Sequence, residues 1–267
     1  MIAASVVIFA LVLLYLVFFY TPTTLTKKTT TATGSDLYSA NWSGYAAVTS
    51  SSSSGTVSDF DSISASWTVP EVASSARTSG YSSVWIGIGG LLERSNKLIQ
   101  VGTEQDVRSD GSKDYYAWLE VLPRPTVKVG SVSPGDLINA RIDRVDNSQS
   151  TWHITLSRES NGIVTTLVDN DVAVRTNSAS TRSAEFIVEA PAVVSGRSTG
   201  ELLPLANFGT VTFANCTTNL GGLGSLANLN RLVMTSDGTK DGAILASPGA
   251  ISDGKNNGGF SVSSLVS

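Results

Sequence analysis

In the stretch SAEFIVEAP, residues 183–191, two glutamates, Glu185 and Glu189, share one side of a short apolar run whose other side is Phe186 and Val188. Side chains of an extended chain alternate between faces, so Glu185, Ile187 and Glu189 form one set. Taken alone, such a strand would turn both glutamates to water on an antiparallel sheet. Three other runs change that reading. In SSVWIGIGG (82–90), Val84, Ile86 and Ile88 oppose Trp85, Gly87 and Gly89. In KLIQVGTEQ (97–105), Ile99 and Val101 oppose Leu98, Gln100, Gly102 and Glu104. In YYAWLEVLP (115–123), Ala117, Leu119 and Val121 oppose Tyr116, Trp118 and Glu120. Each run has an aliphatic or small face suited to a core and a second face of aromatic, carboxylate, amide and glycine positions. Placed side by side in one sheet, the second faces would make a groove able to bind a ligand and to carry acid–base chemistry.

Other chemistries are poorly supplied. The chain has one cysteine, Cys216, and one histidine, His153, so neither an intramolecular disulfide nor a zinc site of the usual Cys/His type can be built. The segment GRSTG (196–200) matches a nucleophile pattern at Ser198, but the lone histidine precedes it and no helix is evident after it, which argues against a serine hydrolase. His153 reads as an ordinary strand residue. Loops such as Asp110–Asp114 and Asp237–Gly242 could hold calcium, yet Asp-Gly is foremost a turn former, and turns are expected. A net charge of −4 with no basic cluster gives no reason to expect a nucleic-acid partner. No metal or other cofactor is expected.

The elements that must position these residues are short strands. Gly, Ser and Thr abound, only 15% of residues are charged, and alternating runs separated by turn signals continue to the C-terminus, which predicts an all-β sandwich or barrel in one domain over 37–267. Pro70, Pro123 and Pro191 end three of the runs. Only LGGLGSLANLNRL (220–232) leans towards helix, and its glycines limit that to a short piece. Ahead of the domain, residues 1–20 are apolar except for Ser5 from Ile2 to Tyr20. That run exceeds the roughly 7–15 residues of a signal's apolar region and approaches the roughly 20 of a membrane span, so an uncleaved anchor is expected, with a signal peptide as the alternative. The Thr-rich residues 21–36 read as a solvated stalk.

Taken together, NWSGY (41–45), WTVP (67–70), VWIGIGG (84–90), LIQVGTE (98–104), YYAWLEVLP (115–123), AEFIVEAP (184–191) and NFGTVTF (207–213) resemble, in order, the motifs of the glutamic peptidases, the eqolisin family. The resemblance implies an antiparallel β-sandwich of two curved sheets, concanavalin A-like and of jelly-roll type. It implies acid-acting endopeptidase activity, with the catalytic pair falling on Gln100 and Glu189. The family's substrate-side tryptophans fall on Trp85 and Trp118 and its supporting glutamate on Glu120; Tyr116 and Glu104 share their face and are expected beside the substrate. Glu185 becomes a flanking residue. Two aspartates of the family are Gly89 and Glu104 here, and a tyrosine-rich run ends instead in Val121-Leu122-Pro123.

On that implied pairing, Glu189 takes a proton from water and returns it to the leaving amine, while Gln100 donates to the developing oxyanion. A glutamate base near pKa 4.3 suits an acidic medium, and Glu120, if close, would tune it. An acidic medium places the domain outside the cell, secreted or anchored at its surface, against the weak vote of Lys27 and Lys28 for the opposite orientation. The sequons at Asn41 and Asn215 are compatible with export. The expected partners are polypeptide substrates, with the membrane contacted through the N-terminal run, and the protein is expected to be a monomer. The alternative is a glycan-binding or glycan-active sandwich in which Trp85, Trp118 and Tyr116 stack on sugar and Glu120 pairs with Glu189.

Overall fold

The computed structural model describes residues 17–18, 26–27, 36–49, 59–73, 78–91, 98–145, 150–174, 181–193, 200–252 and 258–266. The alternating runs are strands, with no α-helix among the described residues. In chain order the main strands begin with β1 (Asp36–Ser39), β2 (Trp42–Val48), β3 (Ser62–Thr68), β4 (Gly80–Ile88) and β5 (Ile99–Val107). They continue with β6 (Lys113–Val121), β7 (Val127–Ser131), β8 (Leu137–Arg144), β9 (Thr151–Ser160) and β10 (Ile163–Ala173). The last are β11 (Ser183–Glu189), β12 (Thr210–Thr218), β13 (Leu229–Thr235), β14 (Ile244–Pro248) and β15 (Phe260–Ser264).

Two layers result. One runs β1-β13-β2-β11-β4-β5-β6-β7, antiparallel except for the parallel β1–β13 pair. The other runs β14-β15-β12-β3-β8-β9-β10, antiparallel throughout. A short β13–β14 ladder joins them at one side. The core between the layers takes Val84, Ile86, Val101, Phe186 and Val188 from the first and Ile63, Trp67, Ile138, Ile154, Phe213 and Val262 from the second. These include the aliphatic faces that alternation had separated out. A distinct apolar cluster on the outer side of the first layer holds Trp42, Trp85, Leu98, Tyr116, Trp118 and Ile187. The sandwich expected from sequence is present, and the first layer presents its second face as a built surface.

Two elements differ from expectation. The segment leaning towards helix supplies only a 3-10 turn, Leu223–Ser225, and from Leu229 the chain is strand β13, paired to both β1 and β2. Tertiary pairing overrides a weak local preference there. Strand β10 was not anticipated because neither of its faces is well buried, so its sequence shows no clean alternation. Its hairpin partner β9 is reached through Asn161-Gly162, both at positive φ (51° and 77°), the dipeptide that a two-residue hairpin turn favours.

Val17–Phe18 pair with Ala192 and Val193, and Thr26–Lys27 pair with Leu37 and Tyr38. No helix among the described residues is long and apolar enough to cross a membrane. The anchor expected at 1–20 and the stalk expected at 21–36 otherwise lie outside the described residues, as does Ser198. His153, on β9, sits between Asp169 and Asp171 of β10, with nitrogen–oxygen distances of 3.0 and 2.7 Å. The Asp110 and Asp237 loops are turns whose carboxylates accept from their own backbone N–H and hydroxyl groups at Ser112 and Thr239.

Candidate active site

Register sets the site. Across β2, β11, β4, β5 and β6, one row reads Ala46, Glu185, Gly87, Gln100, Glu120. The next, two residues along each strand and so about 6.6 Å away, reads Gly44, Ile187, Trp85, Gly102, Trp118. The third reads Trp42, Glu189, Ser83, Glu104, Tyr116. Every site residue expected from sequence lies in these rows. Gln100 and Glu120 are in the first, Trp85 and Trp118 in the second, and Glu189, Glu104 and Tyr116 in the third.

The middle row is floored by glycine for a steric reason. A Cβ on Gly102 would lie 2.3 Å from the Val84 carbonyl oxygen and 2.5 Å from Trp85 Cβ, and one on Gly44 would lie 2.1 Å from the Phe186 oxygen. Bare backbone at these points lets the Trp85 indole settle against the sheet. Trp42 braces it edge to face, with ring centroids 5.0 Å apart.

So held, Trp85 donates its indole N–H to Glu189 Oε2 at 2.8 Å. The other oxygen, Oε1, accepts from Asn41 Nδ2 at 3.0 Å. Asn41 is itself fixed by Ser39, whose hydroxyl donates to Asn41 Oδ1 at 3.1 Å and accepts the backbone N–H of Trp42 at 3.0 Å. Burial pushes Glu189 well above the usual carboxylate range; the indoles of Trp42 and Trp85 pull the other way, and the nearby Glu120 charge adds to the rise. The expectation of an ordinary glutamate pKa is therefore overturned, and desolvation is the cause. Glu120 is close enough to tune Glu189, as anticipated.

Gln100 is clamped from the opposite side. Its Nε2 donates to Glu120 Oε2 at 2.6 Å, and Glu120 Oε1 accepts from the Thr126 hydroxyl at 2.7 Å. Gln100 Oε1 has no hydrogen-bond partner among the described residues. Trp118 donates to Ser83 Oγ at 3.2 Å, and Lys128 Nζ lies 3.5 Å over the Tyr116 ring. Gln100, Glu104, Glu120, Glu185 and Glu189 are all fully buried. The initial reading of a lone β11, with both glutamates in water, fails because Leu91, Leu98, Leu37 and Leu232 from other elements close on this face. Glu185 stays protonated well above the usual range, through burial.

Sequence reasoning missed Asn41, Ser39, Trp42 and Thr126 as positioning groups. Asn41 lies in one of the motifs but reads from sequence only as a sequon; with its amide buried on Glu189, it is not a free glycan acceptor, whereas Asn215 is exposed. Gly89, which stands where the family pattern carries an aspartate, has φ 93°, a conformation that glycine alone adopts readily. Surface depressions of about 280 and 440 Å³ lie on the other layer and share no residue with the site.

The model of the peptidase A4 family matches residues 40–248. Among solved structures, scytalido-glutamic peptidase bound to a transition state analog inhibitor is 22% identical, with 85% of this chain and 98% of that one covered at a TM-score of 0.63. SCP-B, a member of the eqolisin family in complex with the tripeptide Ala-Ile-His, is 21% identical over 85% and 98% at 0.59. Aspergilloglutamic peptidase from Aspergillus niger is 24% identical over 70% and 99% at 0.51. No protein of curated function matches. The structural likenesses carry the sandwich, and the family match over most of the folded domain carries more: this chain belongs to the peptidase A4 family, the glutamic peptidases.

Proposed function

We propose that the protein is an acid-acting endopeptidase in which Gln100 and Glu189 perform the hydrolysis. The observation that carries this reading is the way the two side chains are held. Each oxygen of Glu189 accepts from a fixed donor, Asn41 or Trp85, which favours the carboxylate needed to take a proton from water. Gln100 has one N–H committed to Glu120, leaving its second N–H and an unpartnered carbonyl oxygen to meet an oxyanion and a water. Collapse of the tetrahedral intermediate then requires a proton at the leaving nitrogen, which Glu189, protonated by that point, is able to supply. Trp85, Trp118, Tyr116 and Glu104 line the path of the substrate. An acidic working medium puts the domain outside the cell, secreted or held at the surface by the apolar run from Ile2 to Tyr20.

The test is cleavage of a denatured protein substrate between about pH 2 and pH 7, with Glu189→Gln and Gln100→Ala run beside the parent. Cleavage in acid, abolished by Glu189→Gln and lowered by about 10²–10³ in Gln100→Ala, is expected. Substantial activity in a folded Glu189→Gln protein would sink the assignment.

A further inference from the structure

Outside the active face, a local break in strand geometry turns one asparagine to solvent. Strand β12 pairs with β3 as Ala214↔Ser66 and then as Thr217↔Ser64, so Asn215 and Cys216 together stand opposite the single residue Ala65. This is a β-bulge. Regular alternation after the buried Phe213 and the exposed Ala214 would turn Asn215 into the core. The extra residue, with Asn215 at φ 53°, sends Asn215 outward and Cys216 inward, where it is fully buried. Asparagine is among the few residues that take this left-handed conformation at little cost.

Asn215 opens the tripeptide Asn215-Cys216-Thr217, an acceptor pattern for N-linked sugar. Its amide is held in a way that an added sugar leaves intact. Nδ2 donates to Ser66 Oγ at 3.0 Å, and Ser66 in turn donates to the Ala214 carbonyl at 3.3 Å. An amide linked to a sugar keeps one N–H, so the bond to Ser66 and the linkage can coexist. The tripeptide Asn41-Trp42-Ser43 is the opposite case, because Asn41 is fully buried and gives its amide to Glu189 at 3.0 Å. A sugar there would occupy the active face.

The ground beside Asn215 suits a tethered sugar. Asn215 borders both depressions of the second layer, of about 280 and 440 Å³. The smaller is lined by Ser64, Ser66, Asn139, Arg141, Thr155 and Ser157, and Arg141 is paired with Asp143 on its own strand. Hydroxyl, amide and guanidinium groups can meet sugar hydroxyls, yet among the described residues no aromatic ring lines this depression for a sugar to stack on. Such a surface holds a free sugar poorly. A sugar tethered at its rim has an effective concentration on the order of millimolar, and weak polar contacts then suffice.

On the reading that the domain works outside the cell, we propose that Asn215, and not Asn41, is an N-glycosylation site, its glycan lying on the outer face of the second layer. That is the opposite side of the sandwich from Gln100 and Glu189. The donor is an oligosaccharide carried on a lipid pyrophosphate. The Asn215 nitrogen bonds to the anomeric carbon, the bond from that carbon to the pyrophosphate oxygen breaks with its electron pair on oxygen, and the nitrogen gives one proton to a base of the transferase. The acceptor pattern requires the Thr217 hydroxyl, which in the folded sheet lies 2.7 Å from Ser64 Oγ. Transfer therefore precedes the pairing of β12 with β3, and closure of the sandwich selects the chains that carry sugar at Asn215 alone.

The test expresses the full chain in a eukaryotic secretory host that transfers such oligosaccharides, once with its own N-terminal run leading and once behind an added cleavable secretory signal. Folded protein from each arm is treated with peptide N-glycosidase, which converts a modified asparagine to aspartate, and the converted sites are mapped by mass spectrometry. One glycan per chain is expected, at Asn215, with Asn41 unconverted. Asn215→Gln, which keeps an amide for Ser66, should lose the glycan and leave peptide cleavage unchanged. Thr217→Ala should also lose the glycan, whereas Thr217→Ser should keep it. An unmodified Asn215 in protein exported behind the added signal would overturn the proposal, as would a glycan on Asn41 of the folded protein. Modification of Asn215 behind the added signal alone would uphold the site and overturn instead the reading that the N-terminal run exports the domain.

Discussion

Replacing Asp106 by asparagine should make the protein more stable near neutral pH while leaving it little changed in acid. Asp106 is 8% exposed, and burial raises its pKa from 3.8 to about 6, with its proton-sharing contact to Glu104 opposing the rise. A carboxyl whose folded pKa lies above its unfolded one binds more protons in the folded state between those values. The folded state is therefore favoured fully below pH 3.8, and that advantage drains as pH rises to about 6. At 1.36 kcal/mol per pH unit the loss comes to about 3 kcal/mol. Glu104, Glu185 and Glu189 are raised in the same direction by burial, so each adds about 1.4 kcal/mol per pH unit above its ordinary range for as long as it stays protonated in the fold. Against a total stability of about 5–15 kcal/mol, these losses are large. Denaturant unfolding of the full-length protein at half-unit steps from pH 3 to pH 7 should show stability falling steeply above about pH 4. Asp106→Asn should recover up to about 3 kcal/mol of it at pH 7, or roughly 6–12 °C in Tm for a chain of this size. A flat profile over this range, or an Asp106→Asn profile parallel to the parent's, would refute the linkage.

Two further substitutions probe how the pair is held. Thr126→Val removes a donor to Glu120 while keeping the shape of the side chain, which should loosen the Gln100 amide, lower kcat by about tenfold and lower Tm by about 3–6 °C, the loss of one hydrogen bond to a charged group being worth roughly 1.5 kcal/mol. Gly102→Ala places a methyl 2.3 Å from the Val84 oxygen and 2.5 Å from Trp85 Cβ, both parts of the sheet that cannot swing away. It should cost about 1–3 kcal/mol of stability and depress activity by moving the indole N–H off Glu189, measured by unfolding and by peptide cleavage of the folded fraction.

Alternation alone placed Trp85, Gln100, Glu104, Tyr116, Trp118, Glu120 and Glu189 on one face, because strand geometry leaves no other option once an aliphatic face is committed to the core. It could not order the strands. Which residues meet across rows depends on β11 lying between β2 and β4, a pairing of segments about a hundred or more residues apart. Nor could it show that the face is dry, since the covering leucines come from β1, β13 and the ends of the β4–β5 connection. That omission is why the pKa of Glu189 was misjudged. Asn41 and Thr126 were missed for a related reason: each is a polar residue beyond a strand end, and its meaning lies in a carboxylate that only the folded chain brings within reach.

The candidate active face and the stability of the fold draw on the same carboxyl groups. Burial raises Glu104 and Glu185 against only the small opposing pull of Ser83, Ser183 and the Leu91 backbone, and Glu189 is held by neutral N–H groups. Neutral donors favour the charge of Glu189 without adding a cation that would ionise the neighbouring acids as well. A lysine or arginine in the place of Asn41 would lower the pKa of Glu189 and oppose the effect of its burial. Burial raises Glu104, Glu185 and Glu189 together, so the fold is expected to lose stability as pH rises above the ordinary carboxylate range, whichever of them takes part in catalysis.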